Sequence, residues 1–349
     1  MNDKTIIQET STVNYKVCVL CATFNHAPYI TQTMDGFCIQ QTDFPFICVI
    51  IDDNSKDGEQ EVIRQYLHKH FNAEETRETE DYQLTIARHK ENKNCCFAVF
   101  LLKYNHYRLN KSRRAYYIDL IAGIPYVAFC EGDDYWMDEL KLQKQADALD
   151  ANPQAILAYT GFRIVDGEGK PISRPLIESF PRRSHSGDNL PTLLRHGNYV
   201  MMLTTMYRME AWQSDFYLTC PCKIDFGITM AAALMGDFIW MPEVTGCYRS
   251  LESGMVMTAL RQGVHWAQDI YRYYARLIMK GQCKPLPYRQ RIDATTLILI
   301  RALKRKDIQL RKEVLSCSLL AWLLLPVAFV NVKCERLKDR LKNRKEVKE

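Results

Sequence analysis

The sequence predicts an α/β fold in which a mostly parallel sheet is flanked by helices, followed by a helical extension at the C-terminal end. Short apolar runs, typical of strands buried on both faces, recur in the first half of the chain. Amphipathic stretches with helical spacing separate these runs, and such alternation requires a parallel sheet with right-handed crossovers. The 349 residues are 47% hydrophobic and 25% charged, as in an ordinary globular protein.

Five apolar runs predict strands, and the segments between them predict helices. The strands are expected at residues 15–22, 46–51, 82–87, 126–130 and 155–159. Helices are expected after Pro28, Ser55 and Asp138, then beyond Asp225 and near residues 264–280 and 289–306. The third run, 82–87, is expected to extend the parallel sheet. Residues 166–198 are rich in Gly, Pro, Ser and Arg and predict a long loop or lid outside the core.

The cysteines indicate a reducing environment. The thirteen cysteines are an odd number and are scattered, and Cys18, Cys21, Cys48 and Cys130 lie inside apolar runs. A free thiol in such a run behaves as a small hydrophobic side chain. Since no signal peptide is recognisable, we expect a cytoplasmic protein.

Polar residues follow three of the predicted strands. They are Thr-Phe-Asn at 23–25, Asp-Asp-Asn-Ser at 52–55 and Glu-Gly-Asp-Asp at 131–134. Asn and Ser are explained by turn formation and helix capping. Adjacent carboxylates repel each other, however, and ligands bind at the carboxyl ends of parallel strands. The acids therefore predict a site for Mg²⁺ or Mn²⁺ bridging a substrate diphosphate.

Several function classes are disfavoured. The chain has neither a GxxxxGK[ST] phosphate loop nor a GxGxxG motif after a strand, which argues against ATPases and dinucleotide oxidoreductases. The net charge is +5, and no basic stretch interleaved with aromatic residues is found in the body of the chain. We therefore expect no nucleic-acid partner.

The segments TFNHAPYI, IIDDNSKDG and CEGDDYWMDELKLQKQ resemble family 2 glycosyltransferases with the GT-A fold, a Rossmann-like α/β fold. The likeness is greatest to bacterial enzymes that build capsular, exopolysaccharide or lipopolysaccharide chains. It covers residues 15–257, which we assign to a GT-A domain. The polar residues 1–14 predict a flexible leader, helical patterns predict a helical extension at 258–312, and residues 313–349 predict an apolar helix with a basic tail.

The resemblance implies the residues of a nucleotide-sugar site. Phe24 would pack on the nucleotide base, with Thr23 and Asn25 beside it. Asp53 would accept a hydrogen bond from a base N–H, which favours uracil, and Asp52 would be its neighbour.

The same resemblance implies the metal site and the reaction. Asp133 would position the ribose and the metal, and Asp134 would bind the metal on the diphosphate. Asp225 would be the catalytic base, a role compatible with helix capping. In the segment YRSLESGM at 248–255, Arg249 would face the phosphates, and Leu251-Glu252 replaces an expected histidine.

The predicted activity is that of an inverting glycosyltransferase of the hexosyltransferase type. It would transfer a sugar from a UDP-sugar to a hydroxyl of a glycan or lipid-linked acceptor in surface polysaccharide synthesis. Two alternatives stay open: a nucleotidylyltransferase acting on sugar phosphates, and a non-catalytic membrane-associated scaffold with a degenerate transferase domain.

The C-terminal residues predict contact with a membrane. Residues 314–332 contain no charge, and residues 333–349 contain eight Lys or Arg against four acids. A helix lying on an anionic leaflet, a buried helix and a membrane span are the three possible interpretations. We expect peripheral contact at the cytoplasmic face of the inner membrane.

Overall fold

The structure is a computed structural model and describes residues 13–251, 266–281 and 288–346. The strands are β1 (Val17–Thr23), β2 (Phe46–Asp52), β3 (Phe71–Glu78), β4 (Tyr82–His89), β5 (Cys95–Leu102), β6 (Tyr126–Phe129), β7 (Tyr135–Trp136), β8 (Ala155–Val165), β9 (Thr205–Arg208) and β10 (Asp237–Arg249). Within the described residues they form one sheet in the order β3-β4-β5-β2-β1-β6-β9-β8-β10-β7.

Helices flank this sheet and follow it in the chain. They are α1 (Ile30–Cys38), α2 (Glu59–His70), α3 (Lys141–Ala151), α4 (Pro175–Glu178), α5 (Leu190–His196), α6 (Met209–Gln213), α7 (Asp215–Leu218), α8 (Asp225–Ala233), α9 (Trp266–Met279), α10 (Tyr288–Lys304), α11 (Ile308–Cys317) and α12 (Leu319–Glu346). The predicted α/β class with C-terminal helices is confirmed.

The centre of the sheet is parallel and its flanks are mixed. Strands β5, β2, β1 and β6 run parallel to one another. The predicted third strand, now β4, runs antiparallel to both β3 and β5, so the expectation of a parallel strand there was wrong. The three residues between β3 and β4 are too few for a parallel crossover, which needs a dozen or more. The place beside β2 belongs to β5, which is buried along its whole length.

Both faces of the parallel strands are covered, as the apolar runs predict. Alternate residues of β1 divide between two cores: Val17 and Val19 face α1, α2 and α3, whereas Cys18 and Leu20 face the other layer. That second layer includes α5, α8, α9 and α10. The four cysteines predicted to be buried thiols are all buried and free.

The segment predicted as a loop, 166–198, contributes to the core in its second half. Helix α5 begins with Pro191 in its first turn, a favoured position for proline. Leu190, Leu193 and Leu194 occupy one helical face and are buried. The prediction of a segment without core residues was therefore wrong for α5, because the Pro- and Arg-rich composition around it masks a short apolar periodicity.

The uncharged C-terminal run is divided between two helices. Helix α11 ends at Cys317, Ser318 adopts an extended conformation, and α12 begins at Leu319. On its inner side, α12 packs against α10 and buries Ala321, Ala328 and Val332. Among the helices of the described residues, none combines the length and apolar character needed to cross a membrane.

Candidate active site

The carboxyl ends of β2, β1 and β6 lie side by side and form the floor of the candidate site. The register of the parallel strands places Thr23 level with Asp52. Beyond β6, the Gly132 N–H donates a hydrogen bond to the Ala22 carbonyl at 3.1 Å, so the chain continues beside β1. The structure therefore brings together the three polar segments that the sequence places at strand ends, as expected for an open α/β sheet.

Gly132 is required by the close approach of two of these segments. A β carbon at this position would lie 2.0 Å from the Thr23 hydroxyl oxygen and 2.5 Å from the Thr23 β carbon. Both distances are far below contact, so any side chain would push the acidic segment 131–134 away from β1. The glycine in Glu-Gly-Asp-Asp thus fixes the height of the neighbouring acids above the sheet.

Glu59, which the sequence analysis did not single out, ties the loops after β1 and β2 together. Its carboxylate is buried and accepts hydrogen bonds from the Thr23 hydroxyl, from the His26 N–H at 2.8 Å and from the Ser55 hydroxyl at 2.8 Å. Burial raises the pKa of Glu59, and these donors oppose the rise. The only sequence signal was an acid in the first turn of α2, a position that helix-dipole stabilisation explains equally well.

The segment Thr23, Phe24 and Asn25 divides between buried and accessible residues. Thr23 is buried, Phe24 is half-buried and Asn25 is exposed. Asn25 adopts a left-handed conformation with φ of 57° and bonds to the opposite loop at both ends: its N–H donates to Ser55 Oγ at 2.8 Å, and its side-chain oxygen accepts from the Lys56 N–H at 2.8 Å. Phe24 thus sits on a loop whose conformation is set from both sides.

The adjacent acids Asp52 and Asp53 have different surroundings. Asp53 is buried, and its two oxygens accept hydrogen bonds from the His106 N–H at 2.7 Å and the Tyr107 N–H at 3.0 Å. One oxygen of Asp52 accepts from Ser55 N–H at 3.1 Å and from the Gln60 amide at 2.5 Å. In the described part of the chain, the other Asp52 oxygen is the one buried side-chain polar atom without a hydrogen-bond partner.

Three acids follow β6 and repel each other. Asp134 is buried, with one oxygen accepting from the Arg249 N–H at 2.8 Å. Burial and then the charge of Asp133 raise the pKa of Asp134 well above its ordinary value. Glu131 is accessible to solvent, but the protein around it and the charges of Asp133 and Asp225 raise its pKa as well.

Asp225 begins α8 and faces the same site from the other side. Ile224 occupies the N-cap position without a side-chain hydrogen bond, and Asp225 is the first residue inside the helix, so the N-cap position considered for Asp225 was wrong by one residue. The Asp225 carboxylate accepts from the Asn198 amide at 2.9 Å and from the Phe226 N–H at 2.7 Å. Burial raises its pKa, and these two hydrogen bonds oppose the rise. Asn198, on the segment after α5, is a second residue that the sequence analysis missed.

Tyr248 is influenced by acids from two parts of the chain. Burial raises the pKa of Tyr248, and the charges of Asp134, Asp133, Glu131 and Asp225 raise it further. The acids come from two separate parts of the chain, the segment after β6 and the start of α8. The structure thus assembles one cleft with a high density of negative charge.

The Arg249 side chain connects several segments of the chain by hydrogen bonds. Its guanidinium is 3% exposed and donates to the carbonyls of Asp133 at 2.8 Å and of Asp166 and Gly167 at 3.1 Å, and to the Gln32 side chain at 2.7 Å. It also stacks on the Tyr29 ring, 4.6 Å from the centroid. The guanidinium N–H groups that were expected to face the phosphates therefore bind protein atoms. The rest of the motif at 248–255, from Glu252, lies outside the described residues.

The acidic segment fits a divalent cation of the Mg²⁺ type. The described residues contain no group of three or more His, Cys, Asp and Glu side chains arranged around a common point. Mg²⁺ usually takes only one or two carboxylates and completes its shell with water and substrate phosphates. Asp133 and Asp134 supply two such groups, and their mutual repulsion would be relieved by a cation.

Comparison with known proteins agrees with this geometry. The sequence model of the family described as Glycosyl transferase family 2 matches residues 18–96, which include the polar ends of β1 and β2. An uncharacterized protein of Mycobacterium tuberculosis and one of Mycobacterium bovis are each 26% identical over 239 residues. These residues are 68% of this chain, which spans 59% of the length of those relatives.

Solved structures show the same fold. The crystal structure of S. aureus TarS in complex with UDP has a TM-score of 0.52 at 16% identity, covering 83% of this chain and 72% of that one. The TarS complex with UDP-GlcNAc has a TM-score of 0.53 at 17% identity, covering 90% and 79%. The predicted GT-A fold is confirmed, and the match over residues 18–96 bears out the resemblance to family 2 glycosyltransferases.

Proposed function

Because the chain has the GT-A fold and matches glycosyl transferase family 2, we propose that it is an inverting glycosyltransferase that uses a UDP-sugar and a hydroxyl acceptor. The observation that carries the proposal is the meeting of the polar ends of β1, β2 and β6 at one edge of the sheet. The charges of Asp133, Asp134, Glu131 and Asp225 all act on Tyr248, which places the acids of both segments in one region. One cleft then contains acids suited to a cation and, separately placed, a carboxylate suited to accept a proton.

Asp225 is the proposed catalytic base. The acceptor oxygen forms a bond to the anomeric carbon while the bond from that carbon to the diphosphate breaks, and Asp225 takes the hydroxyl proton. Burial raises the pKa of Asp225, which makes its carboxylate a stronger base than an exposed aspartate. Asn198 holds this carboxylate through a hydrogen bond of 2.9 Å and orients it. A single displacement inverts the configuration and gives a β-linkage from an α-linked donor.

Asp133 and Asp134 are the proposed holders of Mg²⁺ or Mn²⁺, and Asp133 would also position the ribose. When bound, such an ion stabilises the negative charge that develops on the departing diphosphate. The main chain of Arg249 fixes Asp134 through a hydrogen bond of 2.8 Å, and its side chain fixes the Asp133 carbonyl. We therefore propose that Arg249 positions these acids, in place of the direct phosphate contact expected from the sequence.

The uridine subsite is proposed at the ends of β1 and β2. The half-buried ring of Phe24 is available to pack on a base, with Thr23 and Asn25 beside it. Asp53, whose oxygens accept the N–H groups of His106 and Tyr107, would accept a further hydrogen bond from a base N–H, with Asp52 as its neighbour. The choice of uridine is supported by S. aureus TarS, whose structures contain UDP and UDP-GlcNAc.

The acceptor is proposed to be a glycan or a lipid-linked sugar in surface polysaccharide synthesis at the cytoplasmic face of the inner membrane. This part of the proposal depends on the likeness of the three sequence motifs to bacterial enzymes of that kind.

Product analysis with the purified full chain tests the function. A panel of UDP-sugars and GDP-sugars is incubated with and without Mn²⁺, and the nucleotide products are separated by chromatography. A transferase releases the nucleoside diphosphate, by slow transfer to water if no acceptor is present. A nucleotidylyltransferase instead releases pyrophosphate from UTP and a sugar phosphate, and a scaffold releases neither.

Binding of UDP measured by calorimetry gives a second readout that is independent of turnover. The proposal predicts Mn²⁺-dependent binding that is lost in Asp134→Asn and retained in Asp147→Asn, a matched change of an exposed acid on α3. Binding of UDP that ignores both Mn²⁺ and Asp134 would contradict the metal assignment.

A further inference from the structure

Helix α12 presents an apolar surface to solvent on the side opposite its packing face. We call this surface the apolar stripe; its members are Leu319, Trp322, Leu323, Val327 and Val330. Leu319 is 79% exposed, Leu323 is 69% exposed and Val330 is 61% exposed. Their spacing of three or four residues places all five on one face of the helix. Pro326, at the same spacing, is also exposed.

The inner face of the same helix is already occupied. Ala321, Ala328 and Val332 are buried against the rest of the chain, and α12 packs along α10. The helix is thus apolar on two sides, of which the described residues cover one. Contiguous apolar surface of this kind is uncommon on a monomer and marks a site of contact with a protein or a membrane.

Positive charge lies at both ends of the apolar stripe. Arg311 and Lys312 precede it on α11, and Lys333 follows it directly and is exposed. Residues 333–349 carry eight Lys or Arg against four acids and so account for four of the five net positive charges of the whole chain. An anionic surface complements this arrangement, whereas a second copy of the chain would add a second basic segment beside the first.

We propose that the apolar stripe docks α12 onto an anionic lipid bilayer, with the helix axis in the plane of the membrane. From Leu319 to Val330 the stripe is about 17 Å long, roughly half of the hydrocarbon thickness of a bilayer, so it suits an interfacial position. Trp322 is an amphipathic side chain of the kind that interfacial helices place at the headgroup level. Apolar area and attraction to anionic lipid then contribute together.

The docking surface is connected to the candidate active site through two intermediate helices. Helix α12 contacts α10, α10 contacts α9, and α9 contacts α8. Tyr274 on α9 donates a hydrogen bond to the Gly227 carbonyl of α8 at 2.8 Å, two residues after Asp225. A membrane-docked α12 would thus hold the Asp225 side of the cleft near the bilayer. The inference concerns binding alone and does not depend on the proposed transfer reaction.

Vesicle co-sedimentation of the purified full chain, without substrate, tests the proposal. The vesicles contain phosphatidylcholine alone or with phosphatidylglycerol, at low and high salt. The test variant is Leu319→Gln/Leu323→Gln/Val330→Gln, which removes apolar surface from exposed positions and keeps a good helix former. The matched control is Leu218→Gln/Val244→Gln/Ile308→Gln, three exposed apolar residues away from α12. Substitution is preferred to deletion, because removing α12 would uncover the buried face of α10.

The proposal predicts binding to anionic vesicles that weakens in high salt, a loss of about tenfold or more in the test variant, and no loss in the control. Fluorescence of Trp322 should shift to shorter wavelength on binding, and the shift should disappear in Trp322→Phe. Equal sedimentation of test variant and wild type would overturn the proposal. So would a wild-type dimer without lipid that the test variant converts to a monomer, since the stripe would then be an interface between copies.

Discussion

A single carboxylate, Asp225, shows how the fold sets the chemistry of a residue. Burial raises its pKa, whereas hydrogen bonds from Asn198 and from the Phe226 N–H lower it, and burial has the larger effect. The side chain is still half accessible at the start of α8, so an acceptor hydroxyl can approach it. Its basicity and its orientation thus come from different neighbours.

Asp225→Asn should lower the transfer rate by about 10² to 10⁴, the usual contribution of a general base. Donor affinity should stay close to that of the wild type, because the proposed donor ligands lie after β1, β2 and β6. The transfer rate and the affinity for UDP are measured on the same variant, the affinity by calorimetric titration. Asp215→Asn, which changes the first residue of α7, is the matched control and should retain full activity. A collapse of UDP affinity in Asp225→Asn would place this residue in the donor site instead.

Asp134→Asn should stabilise the protein when no divalent cation is present. In the wild type, Asp134 is buried beside Asp133, and removing one of two repelling charges relieves that cost. We expect the melting temperature without metal to rise by about 1–2 °C, which corresponds to about 1 kcal/mol for a chain of 349 residues. Added Mn²⁺ should raise the melting temperature of the wild type only. A variant that melts well below the wild type in metal-free buffer would indicate a structural role for the carboxylate.

At the scale of elements, the loops after β1 and β2 depend on one buried acid at the start of α2. Glu59→Ala removes the acceptor of three hydrogen bonds and leaves the donors on Thr23, His26 and Ser55 without it. Each buried donor that loses its partner costs about 1–3 kcal/mol. We expect a lower free energy of unfolding and weaker UDP binding, although Glu59 is not one of the residues proposed to bind the nucleotide-sugar.

Glu61→Ala is the control for this prediction, since Glu61 lies on the same helix and its side chain is 62% exposed. Its free energy of unfolding in urea and its UDP affinity should both stay near the wild-type values. If Glu59→Ala lost stability while its UDP affinity stayed unchanged, the loops would not depend on Glu59 for their binding conformation.

Helix α3 carries a buried lysine that makes stability depend on pH. Lys141 is fully buried, its ammonium lies 4.2 Å from the centroid of the Trp136 ring, and it donates to the Gln145 side chain at 2.6 Å. Burial lowers its pKa to about 7, against 10.5 for an ordinary lysine. Between these values the unfolded chain binds one more proton than the folded chain, so the free energy of unfolding rises with pH.

The wild type should therefore gain stability relative to Lys141→Met by up to about 1.4 kcal/mol per pH unit between pH 7 and pH 10. Urea unfolding of both proteins at pH 7, 8 and 9 measures this difference in the free energy of unfolding. The contributions of all other titrating groups are the same in both proteins and cancel in the difference. Lys144→Met, on the same helix but 37% exposed, is the matched control for the loss of a lysine side chain. Parallel stability curves for the wild type and Lys141→Met would show that the amine stays protonated in the folded protein.

The sequence predicted strands and helices that can be recognised from their own residues. It did not predict strand direction where this depends on the pairing partner. Strands β1, β2 and β6 and the helices around Leu142 and Ile63 were predicted because apolar periodicity alone identifies them. The direction of β4 was not, because the partner β5 lies in a stretch without a clear assignment. In the site, paired acids were visible as motifs, whereas Glu59 and Asn198 became recognisable only through contacts with residues distant in the chain.

At the scale of the whole molecule, the proposed binding site and the proposed membrane surface are formed by different parts of the chain. The acids of the cleft gather at the carboxyl ends of the parallel strands and at the start of α8, while the unpaired apolar surface and most of the net positive charge lie on α12 and the residues after it. The C-terminal helices are nevertheless part of the same core, since Tyr271 and Tyr274 of α9 are buried and bond to the α5 and α8 backbone.

The most direct test of the proposed reaction is the configuration of the first sugar released from a UDP-sugar with an α-linkage. Time-resolved proton NMR distinguishes the two anomers before mutarotation mixes them, and it needs no knowledge of the natural acceptor, because water can take its place. Inverting transfer through Asp225 predicts that the β-anomer and UDP are produced first, with Mn²⁺ present, and that Asp225→Asn abolishes this release. First release of the α-anomer, or an undiminished rate in Asp225→Asn, would contradict the mechanism.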